Sequence, residues 1–497
     1  MSALARDALA APLPARTVAV AHGDGIGPEI MAAALRVLSA ADPALTFHEV
    51  SLGLKAYQAG HAAGFDGDAL EAIATHGVLL KAPLTTPQGG GFKSVNVSLR
   101  KTLGLFANVR PCVAYHPALP APHPGMDLVV VRENEEDTYA GIEHRQTDEV
   151  VQCLKLVTRP GCERIVRHAF EYAVANGRRK VTCMTKDNIM KLTDGLFHAV
   201  FEEIAPQYPG IATEHMIIDI GTARVATRPR DFDVIVTPNL YGDILSDVAA
   251  EVAGSIGLAP SANIGYGAAM FEAVHGSAPD IAGQDIANPS GLLLSAVMML
   301  VHLGRGEPAT RIHNAWLRTL EDGVLTGDVA AAGNVRRVGT QAFADAVVER
   351  LGQAPVRLRA VHYPGRTEAR TDSPVRQLTQ LATPPAHKQL EGVDVFLHWD
   401  APGRSPAALG ERLQPLAAPD FSLELITNRG VKVYPQGNAR TLCSDHWRCR
   451  FRAPAGVSPL AVAALLQRAA EAGLDVIKTE NLYRFDGKPG YSQAQGA

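Results

Sequence analysis

Two aspartates four residues apart, Asp243 and Asp247 in YGDILSD, carry the clearest chemical signal in this 497-residue sequence. The preceding DVIVT reads as a buried strand, and Pro238-Asn-Leu-Tyr-Gly reads as the loop leaving it. Asp243 is therefore expected to open a helix, with both carboxylates on one face of its first turn. Like charges so placed repel each other unless a cation lies between them. Oxygen-only ligands beside a small charged substrate suit Mg²⁺ or Mn²⁺ better than Zn²⁺. Acidic residues also favour helix N-termini for electrostatic reasons alone, so the pair needs support from elsewhere in the chain.

That support comes from arginines. Ser94, Asn96, Arg100 and Arg110 place two neutral hydrogen-bonding groups and two guanidiniums within 17 residues, and Arg132 ends a run of three valines. Three arginines in apolar surroundings suit a polycarboxylate, because each can clamp one carboxylate bidentately. The alternative is a set of surface arginines paired with glutamates; the position of Arg132 after the valines argues for partial burial instead. Lys186 stands at the C-terminal end of a predicted strand, where α/β proteins place ligands, as either a surface lysine or a proton-transfer group. Ile217-Ile-Asp219 reads as another strand ending in an acid. Asp280, with no basic neighbour in sequence, suits a ribose diol. The three glycines of PQGGGF make a loop whose backbone can close over a ligand. GDGIG is not read as a dinucleotide fingerprint: its third glycine is misplaced, and Pro28-Glu29 sets an acid where pyrophosphate would sit.

These residues need more than one core to position them, and the length predicts two or three domains. Hydrophobic residues at 46%, charged residues at 20% and a net charge of -4 give no case for a nucleic-acid partner. The cysteines at 112, 153, 162, 183, 443 and 449 form no CxxC pair, which points to reduced thiols and a cytoplasmic setting. No apolar run approaches the ~18 residues of a membrane span. The Ala-rich MSALARDALAAPLPAR contains Asp7 and reads as a disordered arm rather than a transit peptide. Residues 356–391 are proline-rich and aperiodic, a linker. Beyond them the order β-α-β-β-α-β, with Ser-Pro opening both helices, predicts a ferredoxin-like unit. Cys449 and His446 fall on opposite faces of one strand there, so they are not read as metal ligands with Cys443.

Taken together, GDGIGPE, the SxNxxLR element, RENEEDTYAGIE, TKDNIMKLTDGLF, NLYGDILSDVAAEVAGSIG and HGSAPDIAGQDIANP resemble the β-decarboxylating dehydrogenases of isocitrate and 3-isopropylmalate over about residues 16–350. The tail, with ITNRGVKVYP, HWRCRF and LYRFDGKPGYSQAQG, resembles the extra domain of the longer, Thermus-type bacterial isocitrate dehydrogenases. The resemblance implies an α/β, doubly wound fold: a discontinuous large domain (16–120 and 255–355), a small domain with the dimer interface (121–254), the linker and an accessory domain (392–497). It implies a homodimer with shared sites, in which Ser94, Asn96, Arg100, Arg110 and Arg132 bind isocitrate. Asp243 and Asp247 would hold the metal with Asp219 from the partner. Lys186, also from the partner, and Tyr139 would handle protons. His275, Asp280, Ile281 and Asn288 would hold the adenosine half of the dinucleotide, with Glu272 and Thr85 nearer the nicotinamide. Ser94 and Asn96 favour a third carboxylate over an isopropyl group, with homoisocitrate as the runner-up substrate. A regulatory subunit of a hetero-oligomeric enzyme would be expected to lack the tyrosine, the lysine or the aspartates, and all are present. Relatives using NADP carry Lys-Tyr where this chain has Asp280-Ile281, so the expected cofactor is NAD, with Mg²⁺ or Mn²⁺. Gly221-Thr-Ala-Arg224 after Asp219 departs from the family's Ala-rich pattern.

Overall fold

The computed structural model describes residues 15–86, 94–330, 335–365, 385–438 and 440–493. The N-terminal arm, the three-glycine loop and residues 366–384 of the linker lie outside the described residues. The chain divides into two compact units: Met1–Tyr139 with Leu156–Leu378, and Ala140–Lys155 with Thr379–Ala497. Residues 140–155, read from sequence as part of the small domain, thus group with the C-terminal segment.

The first unit is built on one ten-stranded sheet. From edge to edge its strands are Leu45–Glu49, Arg16–Ala21, Val78–Lys81, Ala269–Ala273, Pro260–Ile264, Ala107–Val113, Asp127–Glu133, Val234–Thr237, Lys180–Thr185 and Ala212–Ile217. The outer pairings on both sides are parallel; the three central ones, joining Ala269–Ala273 through to Asp127–Glu133, are antiparallel. Val78–Lys81, Asp127–Glu133 and Val234–Thr237 are near-continuous runs of valine, isoleucine and leucine, as strands covered by helices on both faces are. The helix Ser290–His302 is apolar nearly all round and packs against Pro260–Ile264 and Ala269–Ala273. Fully buried Trp316 ties it to the neighbouring helix Gly306–Glu321 by donating from Nε1 to Ser290 Oγ at 2.9 Å. Gly23 and Gly25 take positive φ, and a Cβ on Gly23 would lie 2.3 Å from the carbonyl oxygen of Pro83. Only glycine fits that strand-to-helix turn. No helix among the described residues is long and apolar enough to cross a membrane.

The second unit is an antiparallel sheet in the order Val431–Tyr434, Ser422–Asn428, His446–Arg452, Lys388–His398, Asp475–Phe485, Lys488–Pro489. Its four main strands follow the split-βαβ arrangement, extended at each edge by a short strand. The helices Pro406–Ala417 and Pro459–Glu471 are capped by Ser405 and Ser458, each accepting from the backbone N–H three residues on. Val393, Val395 and Leu397, with Trp447, Cys449 and Phe451, form the core with these helices. Strand alternation then turns Asp394, Phe396, Arg448 and Arg450 to the helix-free face. The hairpin of Glu143–Arg145 and Val151–Cys153 is tied to this unit. Thr147 Oγ1 donates to buried Asp445 at 2.6 Å, and Arg404 holds Glu149 bidentately at 2.8 and 2.9 Å.

Candidate functional site

Strand Val234–Thr237 leads through Pro238 straight into helix Asn239–Ala253. The helix therefore begins four residues before Asp243, within the segment expected to be a loop, and its first turn holds no acid. This corrects the expected position and removes the explanation that the aspartates merely favour a helix N-terminus. Their side chains are 35% and 53% exposed, and both reach one guanidinium. Arg110 lies 3.3 Å from Asp243 and 3.4 Å from Asp247. Arg132, only 1% exposed and so more deeply buried than expected, pairs with Asp243 Oδ1 and donates from Nε and Nη2 to Asn239 Oδ1. It can do so because residue 242 is glycine: a Cβ there would sit 2.6–2.7 Å from the Arg132 side chain. Gly242 is a site-shaping residue that sequence reasoning missed, since glycine in NLYGD looks like a loop residue.

Tyr139 OH donates to Asp243 Oδ2 at 2.5 Å, and the Arg132 guanidinium lies 4.9 Å from its ring centre. Burial, then the Asp243 charge, raises the tyrosine above its ordinary pKa, so it stays a protonated donor at neutral pH. Burial would raise Asp243, but Arg132 and Arg110 hold it below the usual carboxylate value. Asp247 is pushed up by burial, which Arg110 opposes and the Asp243 charge reinforces. Arg132 itself is lowered to about 9 by burial and by Arg110 and Arg100. Two carboxylates on one helix face supply the oxygen donors that a hard divalent cation takes.

Arg100 stands in the last turn of a helix not expected from the sequence, Val95–Thr102. Its Nη2 donates to Glu272 Oε1 at 3.0 Å, and Lys81 Nζ reaches Glu272 Oε2 at 2.6 Å. The Glu272 carboxylate thus faces these two cations and also accepts from Asn263 Nδ2 at 2.9 Å. Arg100 Nε and Asn96 Oδ1 are buried without a hydrogen-bond partner, two polar atoms left for a ligand. Ser94 accepts from Thr86 at 3.3 Å. Asp24, also missed, fixes Thr85 by accepting from its backbone N–H at 2.8 Å, while Thr85 Oγ1 meets Ser277 Oγ. His275 Nε2 is buried and unpartnered. Asn288 donates to Asp328 at 2.9 Å and accepts from Ser290 N–H. Asp280 and Ile281 form a one-turn 3-10 helix with the Asp280 side chain exposed.

Lys186 and Asp219 form a separate group: Lys186 Nζ meets Asp219 Oδ1 at 2.5 Å. Asp219 does not end a strand, as expected, but sits in the first turn of helix Ile218–Thr227. Among the described residues, no hydrogen bond or ion pair joins this couple to Asp243. Nearby, Asp187, His198 and His215 bring their ligand atoms within 4.8 Å of one another. The two imidazoles are stacked at 3.5 Å, however, so their in-plane lone pairs run side by side and do not converge.

Comparison with known proteins matches two family models to successive parts of the chain. The isocitrate/isopropylmalate dehydrogenase family model matches residues 17–347, and the model for the C-terminal domain of bacterial isocitrate dehydrogenase matches 388–497. "Isocitrate dehydrogenase [NADP]" of Rickettsia bellii is 52% identical over 96% of this chain and 99% of its own length. The protein of the same name from Thermus thermophilus is 44% identical over 97% and 96%. The crystal structure of the TT0538 protein from Thermus thermophilus superposes with a TM-score of 0.90 at 44% identity, over 97% and 96% of the two chains. These full-length relatives carry NADP in their names, which overturns the expectation of NAD drawn from Asp280-Ile281. The expectation took an acid in place of the lysine as enough to exclude a 2′-phosphate. The Asp280 carboxylate is exposed, and a unit charge ~4 Å away in bulk water is opposed by only about 1 kcal/mol.

Proposed function

Because this chain belongs to the isocitrate/isopropylmalate dehydrogenase family, we propose that it oxidatively decarboxylates isocitrate to 2-oxoglutarate and CO₂ with reduction of NADP⁺. The observation that carries this reading is the convergence of buried Arg110 and Arg132 and the phenol of Tyr139 on Asp243, beside Asp247. Two guanidiniums would repel a lone cation. A cation arriving with a tricarboxylate resolves the conflict, since the arginines then clamp carboxylates while the aspartates face the metal. Asp243 and Asp247, with Asp219 of the partner subunit in a homodimer, would hold Mg²⁺ or Mn²⁺. The bound ion supplies Lewis-acid polarisation of the substrate hydroxyl and of the oxygen on which charge develops.

The chain's own groups do the rest. Arg100, Arg110 and Arg132 orient the substrate, and Ser94 and Asn96 receive its third carboxylate. Lys186 of the partner subunit, held by its neighbouring aspartate, takes part in removing the hydroxyl proton. Tyr139, kept protonated, returns a proton to carbon after CO₂ leaves. His275, through its free Nε2, and Asn288 and Thr85, held by their own neighbours, are assigned to the dinucleotide. Initial rates with isocitrate, homoisocitrate and 3-isopropylmalate test the assignment. Isocitrate should give the highest kcat/KM, and a preference for 3-isopropylmalate would overturn it.

A further inference from the structure

The helix-free face of the C-terminal sheet borders a cavity of about 290 Å³, lined by Gln152 of the hairpin and by Phe396, Arg429, Ser444, His446 and Arg448 among others. No acidic residue is among its lining. Arg448 pairs across the sheet with Thr427 on one side and Phe396 on the other, which sets its side chain in the middle of this face. The side chain is 20% exposed and its Nε is buried with no hydrogen-bond partner. Its nearest carboxylate, Asp394, is 3.8 Å away and already accepts two hydrogen bonds from fully buried Arg450, at 2.7 and 2.8 Å. One negative charge thus faces two guanidiniums, and Arg448 is the surplus. Burial, partly offset by Asp394, together with Arg450 makes its charge harder to hold.

A second cation stands at the rim. Arg429 occupies the two-residue turn between Ser422–Asn428 and Val431–Tyr434 with φ 51°, beside Gly430 at φ 81°. That left-handed pair fixes the turn, and Arg429 has no ion pair among the described residues. Part of the wall is aromatic, with the Phe396 and His446 ring centres 5.5 Å apart. Burial lowers the pKa of His446, so it adds no charge at neutral pH.

A half-buried guanidinium that must share its one near carboxylate with a second, fully buried arginine is left short of counter-charge, a cost that a bound anion offsets. We propose that this cavity binds a small metabolite oxyanion, a phosphoryl or carboxylate group, with Arg448 and Arg429 as its charge partners and Phe396 and His446 as walls. The volume lies at the small end of ligand pockets, which limits the body carrying the anion to a few heavy atoms. Nothing in the proposal depends on the dehydrogenase reading, because every residue named lies in the C-terminal unit or its hairpin.

Calorimetric titration of the full-length protein with inorganic phosphate and, separately, succinate tests it, in a buffer free of other oxyanions. Wild type and Arg132→Gln should bind at least one probe alike, which sets aside the arginine cluster of the first unit. Arg448→Gln and Arg429→Gln should each weaken that binding tenfold or more, about 1.4 kcal/mol. The tighter probe identifies the head group. Near-UV circular dichroism checks the fold of each variant, and Arg429, being exposed, can be replaced without disturbing the core. Equal affinity in wild type and Arg429→Gln, or binding of neither probe, overturns the proposal.

Discussion

Glu272 is buried between Lys81 and Arg100, and burial, which alone would raise its pKa, is outweighed by these two cations, so the carboxyl is held far below its ordinary value. A depressed folded-state pKa stabilises the protein above the unfolded value, about 4.5. That contribution is lost as pH falls from there towards the folded value. Glu272→Gln leaves two buried cations short of a partner and should cost about 3–5 kcal/mol at pH 7. It should also flatten the loss of stability below pH ~4.5. Urea unfolding at pH 7 and pH 4 measures both, and a change under ~1 kcal/mol at pH 7 would rule out this account of the triad. Tyr139→Phe removes the proton donor on Asp243. The expected result is a burst of NADPH, up to one per site, followed by turnover slowed about 10²–10⁴-fold. Rapid mixing that finds hydride transfer itself equally slow would contradict the assigned role. At this scale the sequence revealed the residue types well, because arginines and aspartates in apolar context are unusual. It concealed Glu272's pairing with Lys81 and Arg100, since those partners come from strands and helices far apart in the chain.

At the level of elements, Pro238 and Gly242 disguised the start of the helix that carries Asp243 and Asp247. Both look like helix breakers, yet proline fits before the first turn and Gly242 makes space for Arg132. Val234–Thr237 and Asp127–Glu133 were legible as β-branched runs, whereas the central strands Pro260–Ile264 and Ala269–Ala273 carry no such pattern and were missed. The helix Val95–Thr102 was missed too, because serine and asparagine dilute the pattern set by Val95 and Leu99. The edge strand Val431–Tyr434 was equally missed, although the Arg429-Gly430 turn announces a hairpin. The grouping of the 140–155 hairpin with the C-terminal sheet rests on contacts between segments far apart in the chain and left no local signal. Thr147→Val removes the hydroxyl that donates to buried Asp445. It should destabilise the C-terminal unit by about 1–3 kcal/mol, read from Trp399 and Trp447 fluorescence during unfolding. No change would show that Asp445 is satisfied without the hairpin.

For the whole molecule, Lys186 pairs with Asp219 while Asp243 pairs with Arg132 and Arg110, and among the described residues no hydrogen bond or ion pair joins the two groups, as a site shared between subunits requires. Mixing Lys186→Met with Asp243→Asn chains should restore activity in hybrid dimers, because one site is then doubly defective and the other intact. Pairing Lys186→Met with Asp219→Asn should stay inactive, since both residues serve the same foreign site. No recovery in the first mixture would contradict the arrangement, because each hybrid site would then lack one residue of its own subunit. The family and both fold units were legible in long, ordered motifs, whereas the cofactor was misread from one exposed charge. The central claim is tested most directly by quantifying products from isocitrate with Mn²⁺ and either dinucleotide. The account predicts equal amounts of 2-oxoglutarate, CO₂ and NADPH, loss of all three on metal removal, and a higher kcat/KM for NADP⁺ than for NAD⁺. Reduced dinucleotide without matching CO₂, or a higher kcat/KM with NAD⁺, would contradict it.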